Sequence, residues 1–102
     1  MSIFDMFRQG PDIMAGVKEF KNTTDAILLD VRTSQEYHSG HVPGSRNVPL
    51  DKIQNISIDK EHPLYVYCHS GARSGQACAY LEKKGYRATN IGGITGYNGV
   101  LE

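Results

Sequence analysis

The chain has no surplus of charge of either sign: eleven Lys and Arg balance eleven Asp and Glu over 102 residues. That balance removes the general electrostatic case for nucleic acid or an anionic membrane as a partner. No hydrophobic run approaches the ~20 residues of a membrane-spanning helix. Cysteine is scarce, at two residues, and no signal-peptide pattern precedes them. This argues against a disulfide scaffold and for a reducing compartment, with the cytoplasm as the expected location. The two cysteines and four histidines lack metal-ligand spacing, so neither a metal site nor a cofactor is expected. Repeats, linkers and low-complexity segments are absent too, and Leu101-Glu102 is given no functional weight. What remains is one domain, residues 1–102, long enough to bury a core without staples, and nothing demands more than a monomer.

What is present centres on Leu64 to Gly85, LYVYCHSGARSGQACAYLEKKG. Leu64 to Tyr67 is β-branched and aromatic and reads as a buried strand. Small and polar residues follow at once: Cys68, His69, Ser70, Gly71, Ala72, Arg73, Ser74. From Ser74 the spacing turns helical, with Ala77, Cys78 and Leu81 on one face, Glu82 to Lys84 in water, and Gly85 as the terminator. Cys68 therefore sits where a strand hands over to a helix. The first amides of a helix lack internal partners, and a glycine-bearing loop can turn successive N–H groups toward one anion. An unperturbed cysteine is only about 3 % thiolate at neutral pH, and lowering its pKa by ~2 units makes thiolate the majority form. Arg73 adds a permanent cation at the rim. The pattern predicts a reactive thiolate in an anion pocket, with the amides turned inward and the sulfur open to solvent. Gly71 is expected at positive φ.

Along the rest of the chain, Ser2 to Phe7 reads as an edge strand, and Pro11 or Asp12 opens a helix to about Lys21 with an Ile13, Val17, Phe20 stripe. Ala26 to Leu29, ending in Asp30-Val31-Arg32, is a strand buried on both faces. Thr33 and Glu36 form a capping box for a short helix over Ser34–Ser39. Ser45–Val48 is a short strand, Asp51–Ile56 a short helix, and Tyr86–Ile91 the last strand, broken by Gly92-Gly93. Strands alternating with helices predict an α/β fold: a central, mostly parallel five-stranded sheet flanked by helices on both faces. Ligands in such sheets sit at the strand carboxyl ends, so Cys68 and Asp30 are expected to share a mouth.

Three stretches taken together resemble the rhodanese-like domain: LLDVRTSQEYHSGHVPGSRNVPL from Leu28 to Leu50, CHSGARS from Cys68 to Ser74, and IGGITGY from Ile91 to Tyr97. One departure is Tyr97, where many members carry tryptophan, which bears on packing rather than chemistry. The resemblance implies sulfur transfer through a persulfide on Cys68, with a small-molecule donor such as thiosulfate or a persulfide and a thiol, cyanide or protein acceptor. Arg73 would orient an anionic donor, and the Ser70 and Ser74 hydroxyls would add hydrogen bonds. Asp30 and Arg32 read as supports that orient the active loop, and Glu36 as a cap. His41 is expected to bond backbone in its turn. His69 is the tempting general base, but an ionised nucleophile needs none. Cys78 reads as helix-core filler. A sulfur carrier or regulatory module with little turnover is the alternative. A phosphatase or arsenate reductase of similar fold ranks lower, because only four residues separate Cys68 from Arg73 where such enzymes place five.

Overall fold

The computed structural model describes residues 11–102. The elements follow the predicted order: α1 (Ile13–Lys21), β1 (Ile27–Asp30), α2 (Ser34–His38), β2 (Ser45–Asn47), a 3₁₀ helix at Leu50–Asn55, β3 (Leu64–Cys68), α3 (Ala72–Lys83), β4 (Ala88–Gly93) and a 3₁₀ turn at Ile94–Gly96. The four strands lie in the order β2-β1-β3-β4, and every pairing is parallel. The expected fifth strand, Ser2 to Phe7, lies outside the described residues. Among the described residues no helix is long and apolar enough to cross a membrane.

Local chemistry accounts for the helix ends. Asp12 caps α1 by accepting from the Met14 amide at 3.0 Å. The Thr33–Glu36 capping box of α2 is complete in both directions. At the end of α3 the Tyr86 amide donates to the Leu81 carbonyl and the Gly85 amide to Glu82, a Schellman closure.

Both central strands are buried throughout, as expected of a parallel sheet covered on two sides. Alternation sorts their side chains into two layers. Leu29, Val31, Leu64, Val66 and Cys68 face α3, where they meet Ala77, Cys78 and Leu81, with Ile53 from the 3₁₀ helix. Leu28, Tyr65 and Tyr67 face α1, where they meet Ile13 and Val17, with Ile91 and the partly buried Tyr97. A fully buried Leu or Val contributes about 1.5–3 kcal/mol, so these central strands are the rigid base on which the strand-end loops are built.

Several element ends shift by one or two residues from expectation, and two of these shifts shape the site. Helix α3 begins at Ala72, not Ser74, because Gly71 makes the turn itself at φ +103° and frees Ala72 to start the helix. Strand β4 runs through Gly92-Gly93 instead of stopping at Ile91. An irregularity leaves Ile91 unpaired, so Asn90 pairs with Val66, Gly92 with Tyr67 and Gly93 with Cys68.

Candidate active site

The strand carboxyl ends bring the predicted residues to one rim of the sheet. Cys68 ends β3, and its side chain points to the α3 face beneath the loop His69–Gly71. The Gly71 amide donates to the Cys68 Sγ at 3.0 Å, and the Ser74 hydroxyl approaches it at 3.5 Å. The expected inward turn of the loop is therefore present, and Gly71 holds it at positive φ. Burial raises the Cys68 thiol, but the Ser74 hydroxyl and the amides of Ser74, Gly71 and Ser70 outweigh it, so its pKa is lowered.

Cys78 supplies an internal contrast. It is also buried, with no hydrogen-bond donor on its sulfur among the described residues, and burial together with Glu82 pushes its thiol up to about 12. Two buried cysteines of one chain are thus driven in opposite directions by the presence or absence of donors. Cys78 is core filler, as expected.

One expectation is corrected. Cys68 is not open to solvent; it is 1 % exposed. A cup closed tightly around one sulfur leaves no room above it for a water molecule. The rim residues His69, Ser70 and Ala72 are exposed, and Gly71 and Arg73 are half-buried. For a donor to reach the sulfur, this rim must part. The His69 side chain stands in solvent, and its carbonyl accepts from the Thr95 amide at 3.3 Å, which ties the loop to the C-terminal segment.

Arg73 lies in the first turn of α3, but its guanidinium is engaged. It donates from Nη1 and Nη2 to the two carboxylate oxygens of Glu36, at 2.7 and 3.0 Å. Glu36 is thus more than a cap: the carboxylate that accepts from the Thr33 amide and hydroxyl also holds the Arg73 guanidinium. Arg73, then the Thr33 donors, hold the Glu36 carboxyl down at about 2, against an opposing effect of burial. Between the ordinary carboxyl range and that value, the unfolded chain takes up a proton that the folded chain refuses. The pair's contribution is therefore whole above ~pH 4.5 and lost as pH falls toward 2. Both side chains are about one-third exposed, so after solvent screening it amounts to ~1 kcal/mol at most. Glu36→Gln is expected to flatten this part of the acid limb in urea unfolding between pH 5 and 3. An acid limb identical to that of the wild type would contradict it.

Asp30 and Arg32 form a buried, bidentate pair, with Arg32 Nη2 2.6 Å from Asp30 Oδ2. Burial lowers the Arg32 pKa, and Asp30 more than restores it. Among the described residues the pair makes no hydrogen bond to the Cys68 loop. Arg32 donates to the Gly40 carbonyl at 2.7 Å and lies over the Tyr67 ring, while Asn47 donates to the Asp30 and Arg32 carbonyls. Its support is thus for the turn after α2 and, through Tyr67, for the root of the nucleophile. The Tyr67 hydroxyl, driven up to about 12 by burial, accepts from the Val42 amide and bonds Ser45. His41 bonds the Tyr37 carbonyl through Nδ1 and stacks on that ring at 3.7 Å. His38 is exposed, whereas His62 is half-buried and bonds the Asp25 carbonyl.

Two contributors went unread in the sequence. Asn90, on the α3 side of β4, accepts from Ser74 Oγ at 2.7 Å and from the Gly92 amide at 2.9 Å, and donates to the Gly71 carbonyl at 3.1 Å. It thereby braces both groups that face the sulfur. An asparagine inside a strand was the available signal, since the residue is depleted there. Gly93 is the other: a Cβ on it would run into the His69 carbonyl and stand 2.6 Å from the Ser70 Cα. Strand β4 and the loop pass each other with no space for a side chain.

The chain's relatives share this architecture. Residues 14–99 match the rhodanese-like domain. A protein of Allochromatium vinosum named as a sulfurtransferase is 43% identical over 77 residues, covering 72% of each chain. The thiosulfate sulfurtransferase PspE of Escherichia coli is 34% identical over 94 residues, covering 87% of this chain and 90% of its own. The crystal structure of a rhodanese-like domain protein from Staphylococcus aureus superposes with a TM-score of 0.79 at 29% identity, covering 90% of this chain and 94% of that one. With most of its length matched, this chain belongs to the rhodanese-like domain family, whose named relatives include sulfurtransferases.

Proposed function

We propose that this protein, acting as a single domain, moves a sulfane sulfur from a small donor to a nucleophilic acceptor through a persulfide on Cys68. The observation that carries the reading is the Gly71 amide donating to the Cys68 sulfur at 3.0 Å, with the Ser74 hydroxyl within reach at 3.5 Å, whereas among the described residues the other buried cysteine has no donor. The Cys68 thiolate attacks the outer sulfur of thiosulfate, the S–S bond breaks, and sulfite leaves with the electron pair. Cys68 is left as a persulfide anion. A thiol, cyanide or protein acceptor then attacks the outer sulfur, and the Cys68 thiolate departs. Each half-reaction returns a sulfur anion to the same donors, which lowers the cost of forming both the nucleophile and the leaving group.

The persulfide places its outer sulfur ~2 Å beyond Sγ, toward the rim. The closed thiol favours a second reading within the same chemistry, a sulfur carrier that turns over slowly with small donors. Phosphoryl transfer fares worse, because the shorter loop is already closed on one sulfur atom. Incubation with thiosulfate, or with a small persulfide, is expected to raise the protein's intact mass by one sulfur atom, and cyanide or a thiol is expected to remove it. If no sulfane donor raises the mass, or if an aryl phosphate is hydrolysed faster than thiosulfate is used, the assignment fails.

A further inference from the structure

The guanidinium nearest the active loop is already neutralised. Arg73 and Glu36 meet through two charge-assisted bonds, and the Thr33 amide and hydroxyl fix the carboxylate from the other side. Glu36 stays ionised down to about pH 2, so the pair persists at every working pH. Next to it lies a recess of about 360 Å³ walled by Val31, Thr33, Pro49, Leu50, Asp51 and Arg73. Three of these side chains are hydrocarbon, and Asp51 brings a second carboxylate. A small dianion approaching here meets one cation and two carboxylates, together with apolar walls that do not solvate it.

Resting on the sulfur-transfer reading above, we propose that Glu36 is a specificity residue. By balancing Arg73 it weighs the site against doubly charged inorganic donors, and toward sulfane sulfur carried on an organic group lodged against Val31, Pro49 and Leu50. In the favoured half-reaction the Cys68 thiolate attacks the terminal sulfur of R–S–SH. The S–S bond breaks, R–S⁻ leaves with the electron pair, and Cys68 retains the S–SH, which then ionises. Sulfur changes hands without any external oxidant or reductant.

The substitution Glu36→Gln isolates the charge. Glutamine serves the N3 position of a capping box as glutamate does, so α2 keeps its cap. With the competing charge gone, the KM for thiosulfate is expected to fall by about tenfold, while kcat/KM with 2-hydroxyethyl persulfide, a donor carrying no charged group on its carbon chain, moves less than about twofold. Adding Arg73→Ala should erase the thiosulfate gain. Leu50→Ser should weaken use of the organic donor and leave the thiosulfate KM in place. A thiosulfate KM that is unchanged or raised in Glu36→Gln overturns the proposal, because it means that Glu36 serves only to hold Arg73 for the donor.

A binding arm separates this from failure of the reading beneath it. In Cys68→Ser protein, where no transfer takes place, calorimetry gives the thiosulfate Kd with and without Glu36→Gln. A tighter Kd with glutamine supports the role of Glu36 whatever the turnover, and an equal or weaker one rejects it. Failure of the wild type to gain a sulfur atom from either donor rejects sulfur transfer instead.

Discussion

A Cys68→Ser protein is expected to fold, to keep the hydrogen bond from the Gly71 amide, and to lose sulfur transfer by more than about 10⁴-fold. The hydroxyl occupies nearly the same space as the thiol, and its oxygen accepts the same N–H. It cannot ionise at neutral pH, and no covalent carrier exists for the sulfur between donor and acceptor. The other cysteine does not substitute for it. With its thiol at about 12, Cys78 is thiolate to about one part in 10⁵ at pH 7, and it is buried against the sheet. Intact-mass measurement after exposure to donor should therefore show one added sulfur on the wild type and none on the variant. A matching titration uses a small thiol reagent such as methyl methanethiosulfonate. The wild type should react at one site, with a rate that levels off at lower pH than for an ordinary thiol, because the Ser74 hydroxyl and the loop amides lower the pKa of that site. A bulky maleimide should react far more slowly through the closed rim. Persistence of the mass gain in Cys68→Ser would remove Cys68 from the reaction.

The features legible in the sequence were those encoded locally. The β3 run ends in Cys68, the Thr33–Glu36 box announces α2, the Ile13–Val17 stripe buries α1, and Gly71 marks a turn only glycine makes cheaply. Such features depend on residues a few positions apart, so composition and spacing carry them. What escaped were contacts between distant parts of the chain. Glu36 read as a cap because its three-residue relation to Thr33 is visible, while its bond to Arg73 spans 37 positions. Asn90 passed unremarked inside the Tyr86–Ile91 strand, since nothing local says that Ser74 and Gly71 lie beside it. The Asp30–Arg32 pair was recognised as support, but its target was missed: the Gly40 carbonyl receives the guanidinium, not the loop at Cys68. The exposure of Cys68 was misread for a related reason. Small polar residues suggest an open site until the backbone closes them around the sulfur.

Gly93→Ala is expected to have the second-largest effect, and it reaches the chemistry without altering any group that bonds the sulfur. The added methyl would overlap the His69 carbonyl and press on the Ser70 Cα, both backbone atoms with no rotamer to yield. Gly93 is paired with Cys68 in the parallel ladder, so β4 cannot move away without losing bonds to β3. The loop must give instead, and with it go the Gly71 amide and the Ser70 peptide that stabilise the thiolate. Overpacking of this kind costs about 1–3 kcal/mol, which should appear as a lowered urea midpoint with an unchanged slope. The Cys68 thiol should rise toward its ordinary value as the loop donors shift, and transfer at neutral pH should fall with the thiolate fraction. Gly96→Ala is the control: it lies in the turn just beyond β4, and among the described residues its methyl would meet the Ile13 side chain alone, at 3.5 Å, an ordinary contact. That variant should retain both thiol acidity and activity. If Gly93→Ala matched it in both, the loop would owe its shape to Gly71 and Asn90 alone, and the close passage of β4 would have no part in activating Cys68.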